Sequence, residues 1–522
     1  MDLISEKWIP VSMKNGAQEK VSLLGILGDD IVDFAYPRAD FQIAAWQFVI
    51  GVMQCTVAPR SRRYWNQTFE KGIDAETWQS GLQNISAALK FGTTKPSFMQ
   101  SLIAIDKEPM NISSLLVGTP GENTLKNHAD FFIKKVDGRM CQHCAAMGLF
   151  AAQVNAPAGG AGYRASLRGP SHITTLITSR DETAIPLWKK LWLNVLVDKE
   201  PLPSSLAEVF PWLAETKTSK NAGSNITPDN TDCRQAYWGM PQHLEIDLEN
   251  LSSGRCMICG CAGESLICNM RKTNYGINYT GWHHPLSPYK KSKTDDSIYA
   301  SKVQAGGVSY RDWAGLMYLN PEKDDVKPAK SVLEISPDME IELGLWCFAW
   351  HMDNAKALGL YQSKIPFMPV KDSKELSDHI GAVTAHASES LSILRTAVKA
   401  AFSKKNANAK EGISHIGGTE MDGIGIAFWN ETEPMFTKLL QEMLQKTGAD
   451  KEIYQEAIAT WEKKISAYIF DAYDRLVMQG TGALDKTLHE RLKQRKMLKG
   501  KYDKLKTGQV VRTIAGKGDK KQ

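Results

Sequence analysis

Residues 127–169 read NHADFFIKKVDGRMCQHCAAMGLFAAQVNAPAGGAGYRASLRG, and the rest of the chain is organised around this stretch. A basic loop with two adjacent phenylalanines comes first, and a C-x-x-C pair then opens a short apolar helix. The helix ends in a glycine-rich loop with two arginines behind it. The residues concerned are Phe131, Phe132, Lys134, Lys135, Cys141, Cys144, Gly159, Gly160, Ala161, Gly162, Arg164 and Arg168.

A second C-x-x-C pair stands in the turn-rich sequence SSGRCMICGC of residues 252–261. Four thiolates satisfy the tetrahedral coordination of a structural zinc ion and leave no open position for chemistry. The alternative is two unrelated pairs of reduced thiols, with Cys261, Cys268 or His143 as substitute ligands. An odd number of cysteines, nine, disfavours a disulfide framework. The predicted zinc ligands are Cys141, Cys144, Cys256 and Cys259.

The composition sets the class of protein. A chain of 522 residues, 43% hydrophobic and 23% charged, is long enough for two or more domains and typical of a globular protein. Its start, MDLISEKWIPV, has early acids and no continuous apolar core, so we expect no signal peptide. The most apolar segment, residues 41–57, contains three glutamines, which favours a buried helix over a membrane span. We therefore expect a cytoplasmic protein without a membrane partner.

Two different patterns divide the chain. Residues 1–370 alternate short strands and helices without a clear period, which predicts a large irregular α+β domain that contains the zinc site. A helix with Asp40 at its N-cap is expected over residues 40–53. Apolar residues at helical spacing over residues 380–506 predict a separate four-helix bundle, with Pro434 in the first turn of its second helix. Residues 371–379 are predicted to be a linker, and residues 507–522 a basic tail.

Basic residues occur in local groups, and their distribution matters because a net charge of +5 is too small to prove a nucleic-acid partner. The last helix is heavily cationic, and this pattern is typical both of a nucleic-acid-binding face and of a helix face that only contacts water. A zinc ion bound by both C-x-x-C pairs would bring together the basic groups that lie near these pairs in the sequence. Cations beside glycine-rich backbone favour a duplex, because the charges bind phosphates and bare backbone enters a narrow groove. The groups outside the central stretch include Arg271, Lys272, Lys290, Lys291 and Lys293.

The chain resembles a known family, the CasA subunits, which are the large subunits of the type I-E CRISPR surveillance complex Cascade. The resemblance covers essentially the whole chain. It rests on the order and spacing of several motifs: WIPV at residues 8–11, C-x-x-C followed by LF and A-P-x-G-G-x-G-Y-R-x-x-L-R-G, the second C-x-x-C, W-x-x-P-x-S-P at residues 282–288, and WHMDNAK at residues 350–356.

The resemblance implies a DNA-recognition subunit that is not an enzyme. Members of the family recognise the protospacer-adjacent motif (PAM) in duplex DNA, largely through the minor groove, and wedge the duplex open so that the CRISPR guide RNA can pair with it. They hold the displaced strand and recruit the helicase-nuclease that destroys the target. The implied partners are therefore the other Cascade subunits, the guide RNA, the target duplex, the displaced non-target strand and the helicase-nuclease.

The resemblance also assigns residues. The PAM-reading glycine loop falls on residues 159–162, and the minor-groove lysine falls on Lys272, with Thr273 as the competing alignment. The wedge falls on residues 353–355 and includes Asn354 and Ala355. The loop that docks on the guide-bearing end of the complex falls on residues 130–135. The predicted DNA-binding residues are Gly159, Gly160, Ala161, Gly162, Arg164, Arg168, Lys272, Lys290, Lys291, Asn354 and Ala355; the predicted docking residues are Phe131, Phe132, Lys134 and Lys135.

Two positions depart from the family's pattern. Asn354 stands where the best-known pattern has a glutamine one methylene longer, and Ala161 stands where a contacting glycine is expected. We expect both changes to affect the PAM preference more than the function. A minor-groove reader is permissive in any case, because that groove distinguishes A·T from G·C mainly by the guanine amino group.

Two other functions are consistent with parts of the sequence. One is a general zinc-containing nucleic-acid-binding scaffold without PAM function. The other is a zinc-dependent nucleic-acid hydrolase or deaminase. The deaminase signature requires a proline before the C-x-x-C and an upstream H-x-E, whereas Met140 precedes Cys141 and no such H-x-E precedes it. Four cysteine ligands would also leave no site for a catalytic water.

Overall fold

The structure is a computed structural model, and its residues fall into two compact units. The first unit comprises Met1–Val303 and Lys323–Pro369, and the second comprises Gln304–Glu322 and Val370–Gln522. The structure describes residues 1–119, 138–221, 224–292, 294–317, 326–335, 339, 341–354, 356–367, 374–404, 413–414, 417–445, 451–479 and 487–516.

The strands are short except for one long hairpin near the end of the first unit. In chain order they are β1 Ile9–Met13, β2 Gln18–Val21, β3 Ile31–Phe34, β4 Met110–Asn111, β5 Thr174–Ser179, β6 Asn225–Ile226, β7 His243–Ile246, β8 Leu251–Arg255, β9 Ala262–Ile267, β10 Asn269–Thr273, β11 Asn278–Tyr279, β12 Tyr289–Lys291, β13 Ile298–Ala300, β14 Val326–Lys327, β15 Leu343–Asp353, β16 Lys356–Phe367, β17 Ser403–Lys404 and β18 Ile413–Ser414.

The longest α-helices are in the second unit. In chain order they are α1 Ala39–Thr56, α2 Arg62–Lys71, α3 Ala75–Asn84, α4 Gln142–Val154, α5 Leu187–Trp192, α6 Trp313–Met317, α7 Lys330–Glu334, α8 Lys374–Ala401, α9 Gly418–Gln445, α10 Lys451–Tyr473, α11 Leu488–Asp503 and α12 Lys506–Ile514. The protein is thus a mixed helix-and-sheet protein, as predicted.

The core of the first unit is built around α1, which is buried along almost its whole length and packs on α4. Phe48 of α1 is at the centre, with edge-to-face contacts to Trp8, Phe98, Phe150 and Trp238 at centroid distances of 5.5–5.9 Å. Such pairs stabilise a core beyond the area that they bury. The apolar run therefore forms the predicted buried helix. It begins one residue earlier than predicted, after an N-cap at Arg38.

Three small sheets carry the residues singled out in the sequence. β8 and β9 form a hairpin, β10 lies between β4 and β7, and β15 lies between β16 and β5. β15 pairs with β5 only from Leu343 to Phe348, whereas it pairs with β16 as far as Asp353. Beyond Phe348, β15 therefore pairs with β16 alone among the described strands.

In the second unit, α8 contacts each of α9, α10, α11 and α12. His386 of α8 is buried between the rings of Trp461 and Tyr502, with centroid distances of 6.1 and 5.5 Å. The described residues thus place four helices in contact with α8, which is one helix more than a four-helix bundle contains. The four-helix bundle therefore stays a prediction. α12 is the additional helix, and all of it after Lys506 lies in the predicted basic tail.

Three sequence predictions in the second unit are wrong in detail. α8 begins at Lys374, inside the predicted linker. α12 occupies part of the predicted tail, where Val511 is fully buried. Residues 304–322 group with the second unit because Tyr310 stacks on Phe436, with ring centroids 4.5 Å apart. Polar composition concealed the first two, since isolated apolar residues decide the packing there.

Pro434 lies inside α9 rather than in the first turn of a helix. Proline removes the hydrogen bond to the carbonyl four residues earlier, here that of Asn430. Both Pro434 and Asn430 lie outside the buried core, so water can reach that carbonyl. Phe428 and Phe436 are buried on either side and hold the helix continuous across the proline.

No helix within the described residues is long and apolar enough to cross a membrane.

Candidate metal centre and nucleic-acid interface

The two C-x-x-C pairs meet in the first unit. Cys141 is the N-cap of α4 and Cys144 is in the first turn of that helix, while Cys256 and Cys259 lie in the turn between β8 and β9. Backbone hydrogen bonds of 2.9 and 2.8 Å between Met140 and Ile267 hold the start of α4 against this hairpin. The four sulfur atoms all lie within 4.8 Å of one another.

This arrangement fits a tetrahedral metal ion. The Sγ atoms of Cys141 and Cys259 are 3.8 Å apart, and zinc–sulfur bonds of about 2.3 Å place tetrahedral ligands about 3.8 Å from one another. Cysteines bind metal ions as thiolates, and four sulfur atoms at this spacing provide such a donor set. The predicted ligands are thus brought together in a set suited to zinc.

The substitute ligands considered from the sequence have other positions. Cys268 is 2.9 Å from Ser252 Oγ, and His143 Nδ1 is 3.2 Å from Lys20 Nζ. Cys261 is closer to the centre, with its sulfur 3.2 Å from that of Cys259. The four cysteines of the paired motifs therefore form the candidate centre, with Cys261 beside it.

The glycine loop has the backbone that its sequence predicts. Gly159, Gly160 and Gly162 have φ values of 144°, 80° and 77°, which side chains rarely adopt. A Cβ on Gly162 would also lie 2.8 Å from the ring of Tyr275. Ala161 is exposed and is not among the positive-φ residues, so its methyl group is accommodated without backbone strain.

The loop is anchored to the segment that follows β10. Asn274 Nδ2 donates to the Ala161 carbonyl oxygen at 2.7 Å, and the Tyr275 amide donates to the Gly162 carbonyl oxygen at 2.7 Å. Sequence reasoning missed both partners, although the polar KTNYG sequence of residues 272–276 was the available signal. Two carbonyls of the loop therefore accept hydrogen bonds that fix its position.

Lys272 lies on β10 beside this loop. Its Nζ is 4.7 Å from the centroid of the Tyr163 ring, a cation–π contact with a residue of the glycine-loop sequence. Burial lowers the pKa of Lys272 to about 8, and within the described ranges no carboxylate pairs with it. Adjacent strand residues point to opposite faces, so Lys272 rather than the alternative Thr273 faces the loop. Tyr163 is 37% exposed and was also missed by sequence reasoning.

The two arginines behind the loop differ in environment. Arg164 is half-buried, and its Nε donates to Ser219 Oγ at 2.7 Å. Arg168 is only 6% exposed and donates to Gln47 Oε1 and Thr174 Oγ1, both at 2.7 Å. Burial lowers the pKa of Arg168 to about 9. The prediction that Arg168 binds DNA is therefore wrong: its guanidinium joins α1 to β5 in the interior and cannot reach a phosphate.

Asn354 stands at the tip of the β15–β16 hairpin, where Asp353 pairs with Lys356 across the turn. Its φ is 52°, a left-handed conformation that asparagine tolerates better than most residues. The side chain is exposed, and Nδ2 is 3.2 Å from Asp353 Oδ1. At the base of this segment, Ser171 Oγ accepts from the Met352 amide at 3.1 Å. The tip thus projects a polar amide from an anchored hairpin.

The remaining predicted residues are on β12 or outside the described residues. Lys290 and Lys291 are half-buried on β12, and Lys291 Nζ is 3.1 Å from Asp296 Oδ1. Lys290 is paired across the sheet with Tyr299, which is 42% exposed. The predicted residues that lie outside the described residues are Phe131, Phe132, Lys134, Lys135, Lys293 and Ala355.

These observations define a class of protein. It is a helix-and-sheet protein with a four-cysteine centre and a glycine-rich loop beside cationic side chains. A family model for CRISPR-associated protein Cse1 matches residues 2–472 of the chain. The chain therefore belongs to the Cse1 family, and the resemblance found in its sequence is confirmed.

Solved structures resemble the whole chain. CasA from Thermus thermophilus is 16% identical, with 96% of this chain and 99% of that chain covered and a TM-score of 0.66. Thermobifida fusca Cse1 is 13% identical, with coverages of 99% and 98% and a TM-score of 0.66. A chain of a CRISPR RNA-guided surveillance complex is 15% identical, with coverages of 95% and 99% and a TM-score of 0.70. At such identities, these likenesses show a shared fold.

Proposed function

We propose that this chain is the PAM-reading subunit of a type I-E Cascade. It reads the PAM in the minor groove of the target duplex, helps to open the duplex for R-loop formation, holds the displaced strand and recruits the helicase-nuclease. Its partners are the other Cascade subunits and the guide RNA, and its own role is binding rather than catalysis. The single observation that carries the proposal is the anchoring of the glycine loop beside Lys272, through Asn274 and Tyr275.

The chemistry of this face supports minor-groove reading. The ammonium of Lys272 has no carboxylate partner in the described part of the chain and can donate to the purine N3 and pyrimidine O2 acceptors that all base pairs present there. The glycine loop lets backbone approach the floor of a narrow groove. Such contacts give a permissive reader, which suffices where guide pairing supplies the sequence test.

The four cysteines are proposed to hold a structural Zn²⁺. When bound, the ion would fix the β8–β9 turn to the start of α4, and four thiolates leave it no position for a catalytic water. A cytoplasmic location agrees with this function and stays a prediction.

Duplex binding by the assembled complex tests the function. Complexes with and without this chain are compared on targets that differ only in the PAM. We expect tight binding only when both the chain and a permitted PAM are present. Equal binding to every PAM would instead indicate the alternative function, a general nucleic-acid-binding scaffold.

Asn354 is predicted to act after PAM binding, when the first base pair is broken. Replacing it with glycine removes the amide while retaining a residue that accepts positive φ. We expect R-loop formation on intact duplex to slow by about tenfold, the rate equivalent of about 1.4 kcal/mol. On a target mismatched beside the PAM, the defect should largely vanish, because unpairing no longer opposes the reaction. Stopped-flow rates on the two targets measure this.

Asn354→Ala is the matched variant for backbone strain, since alanine disfavours the left-handed conformation. Equal defects for Asn354→Gly and Asn354→Ala would identify the amide as the active group. A defect in the alanine variant alone would assign only a turn-forming role to Asn354. Equal loss on matched and mismatched targets would place the wedge elsewhere.

Phe131 and Phe132 are proposed to anchor the chain in the complex. Adjacent phenylalanines among basic residues are typical of a partner-binding anchor. Replacing both with alanine should release the chain from Cascade, with a loss of affinity on the order of a hundredfold or more if both are hot spots. The melting temperature of the free chain should not change. Co-elution of the doubly substituted chain at unchanged affinity would refute the docking assignment.

A further inference from the structure

A cleft of about 130 Å³ lies between the glycine-loop side of the first unit and the β15–β16 hairpin. Its walls come from α4, β7, β10, the segment at residues 114–119 and the two strands of the hairpin. Ser114 and Gly118 are exposed at its edge. The lining residues that matter here are Gln242, Leu244, Met270, Lys272, Met352 and Ala357.

Gln242 has a side chain that the fold does not use. It is only 5% exposed, and its backbone is fixed by Gln153, which donates to the Gln242 carbonyl oxygen at 2.8 Å and accepts from the Gln242 amide at 3.0 Å. No hydrogen bond joins the Gln242 carboxamide to any described residue. The carboxamide nitrogen and oxygen are not among the fully buried polar atoms that lack a partner, so they open onto the cleft. They are therefore available to pair with a ligand that enters it.

The other groups of the cleft define the chemistry of that ligand. Leu244 and Met270 are fully buried apolar walls, and Lys272 adds a hydrogen-bond donor without a carboxylate partner on the described chain. A carboxamide offers a donor and an acceptor in one plane, which matches the amide-like edge of a nucleobase. A protein cavity of about 150 Å³ accepts benzene. The cleft has a comparable volume, so its scale is that of a single six-membered ring rather than a fused purine.

We propose that this cleft binds a pyrimidine base of the target DNA, from the nucleotide beside the PAM at which the strands first separate. The proposal rests on the proposed function. Met352 and Ala357 belong both to the cleft and to the hairpin that ends in Asn354. A base displaced at that tip is therefore next to the cleft. The Gln242 carboxamide pairs with the edge of the base, and the cleft thereby stabilises the opened state.

Gln242→Met tests the proposal on the protein side. Methionine keeps the length of the side chain and removes the carboxamide. We expect the melting temperature to change little, because the carboxamide bonds no described residue, while R-loop formation slows by about tenfold. Gln153→Met is the matched control, since the Gln153 amide bonds the Gln242 backbone. That variant should lower the melting temperature. A similar fall for Gln242→Met would show that Gln242 is only structural and would overturn the proposal.

Altered DNA supplies the second test. The ratio of wild-type to Gln242→Met rates should be about tenfold on intact duplex and on a duplex mismatched beside the PAM, because the base is present in both. An abasic nucleotide is placed at the position where the duplex first opens, in one strand and then in the other. In the strand whose base enters the cleft, it should make the wild-type and Gln242→Met rates equal. A purine there should reduce the ratio. A ratio that survives both abasic substitutions would refute the base-binding role. Absence of PAM dependence in the wild-type complex would instead refute the proposed function itself.

Discussion

Cys256→Ser is expected to leave the protein without a stoichiometric metal ion and to lower its free energy of unfolding by on the order of 4 kcal/mol or more. Ordinary substitutions cost about 0.5–3 kcal/mol, and loss of a structural metal belongs to the larger class. Cys256 is buried among the other three sulfurs, so water cannot take the place of the lost sulfur ligand in the serine variant. Elemental analysis of tag-free protein and chemical denaturation measure the two effects.

Cys268→Ser is the matched control for this prediction. Cys268 lies just after β9 and is 2.9 Å from Ser252 Oγ, outside the four-cysteine cluster. Its replacement should leave the metal content at one ion per chain. Zinc-free wild-type protein, or equal stability of the Cys256→Ser and wild-type proteins, would contradict a structural zinc site. Weaker DNA binding by Cys256→Ser is expected only as a consequence of its instability.

Some features of the fold could be predicted because they depend on local sequence. The apolar run of α1 indicated a buried helix, although the helix begins at Ala39 and Arg38 replaces the predicted cap Asp40. The cysteine pairs could be matched because zinc chemistry demands four ligands whatever their distance in sequence. The backbone of the glycine loop followed from residue type, since only glycine adopts those φ values readily.

Other features depend on contacts between distant segments and could not be predicted. Arg168 resembles a phosphate-binding arginine in sequence, and it is buried because Gln47 and Thr174 accept its hydrogen bonds. The anchoring of the loop by Asn274 depends on the pairing of β10 with β7, which no local pattern shows. The unused carboxamide of Gln242 likewise becomes visible only when all of its neighbours are placed.

Lys272→Ala is expected to weaken binding of a PAM-containing target by about 1–3 kcal/mol, which is roughly 5- to 150-fold. The ammonium is held 4.7 Å above the Tyr163 ring and beside the glycine loop, so it is positioned before DNA arrives. Alanine removes the charge and the groove contact together. Equilibrium binding of the assembled complex to permitted and non-permitted PAMs measures the loss, which should be larger for the permitted PAM.

Three comparisons separate groove reading from a general loss of charge. Lys330→Ala removes an exposed lysine paired with Glu334 and should leave the affinity unchanged. Tyr163→Leu should weaken wild-type binding but have no further effect in the Lys272→Ala background, because it acts by positioning the ammonium. Wild-type affinity should also fall as the pH rises through about 8, where Lys272 loses its proton, and this fall should be absent in Lys272→Ala. Equal losses on permitted and non-permitted PAMs would contradict the assignment, since a phosphate contact weakens all sequences alike whereas a groove-reading lysine does not.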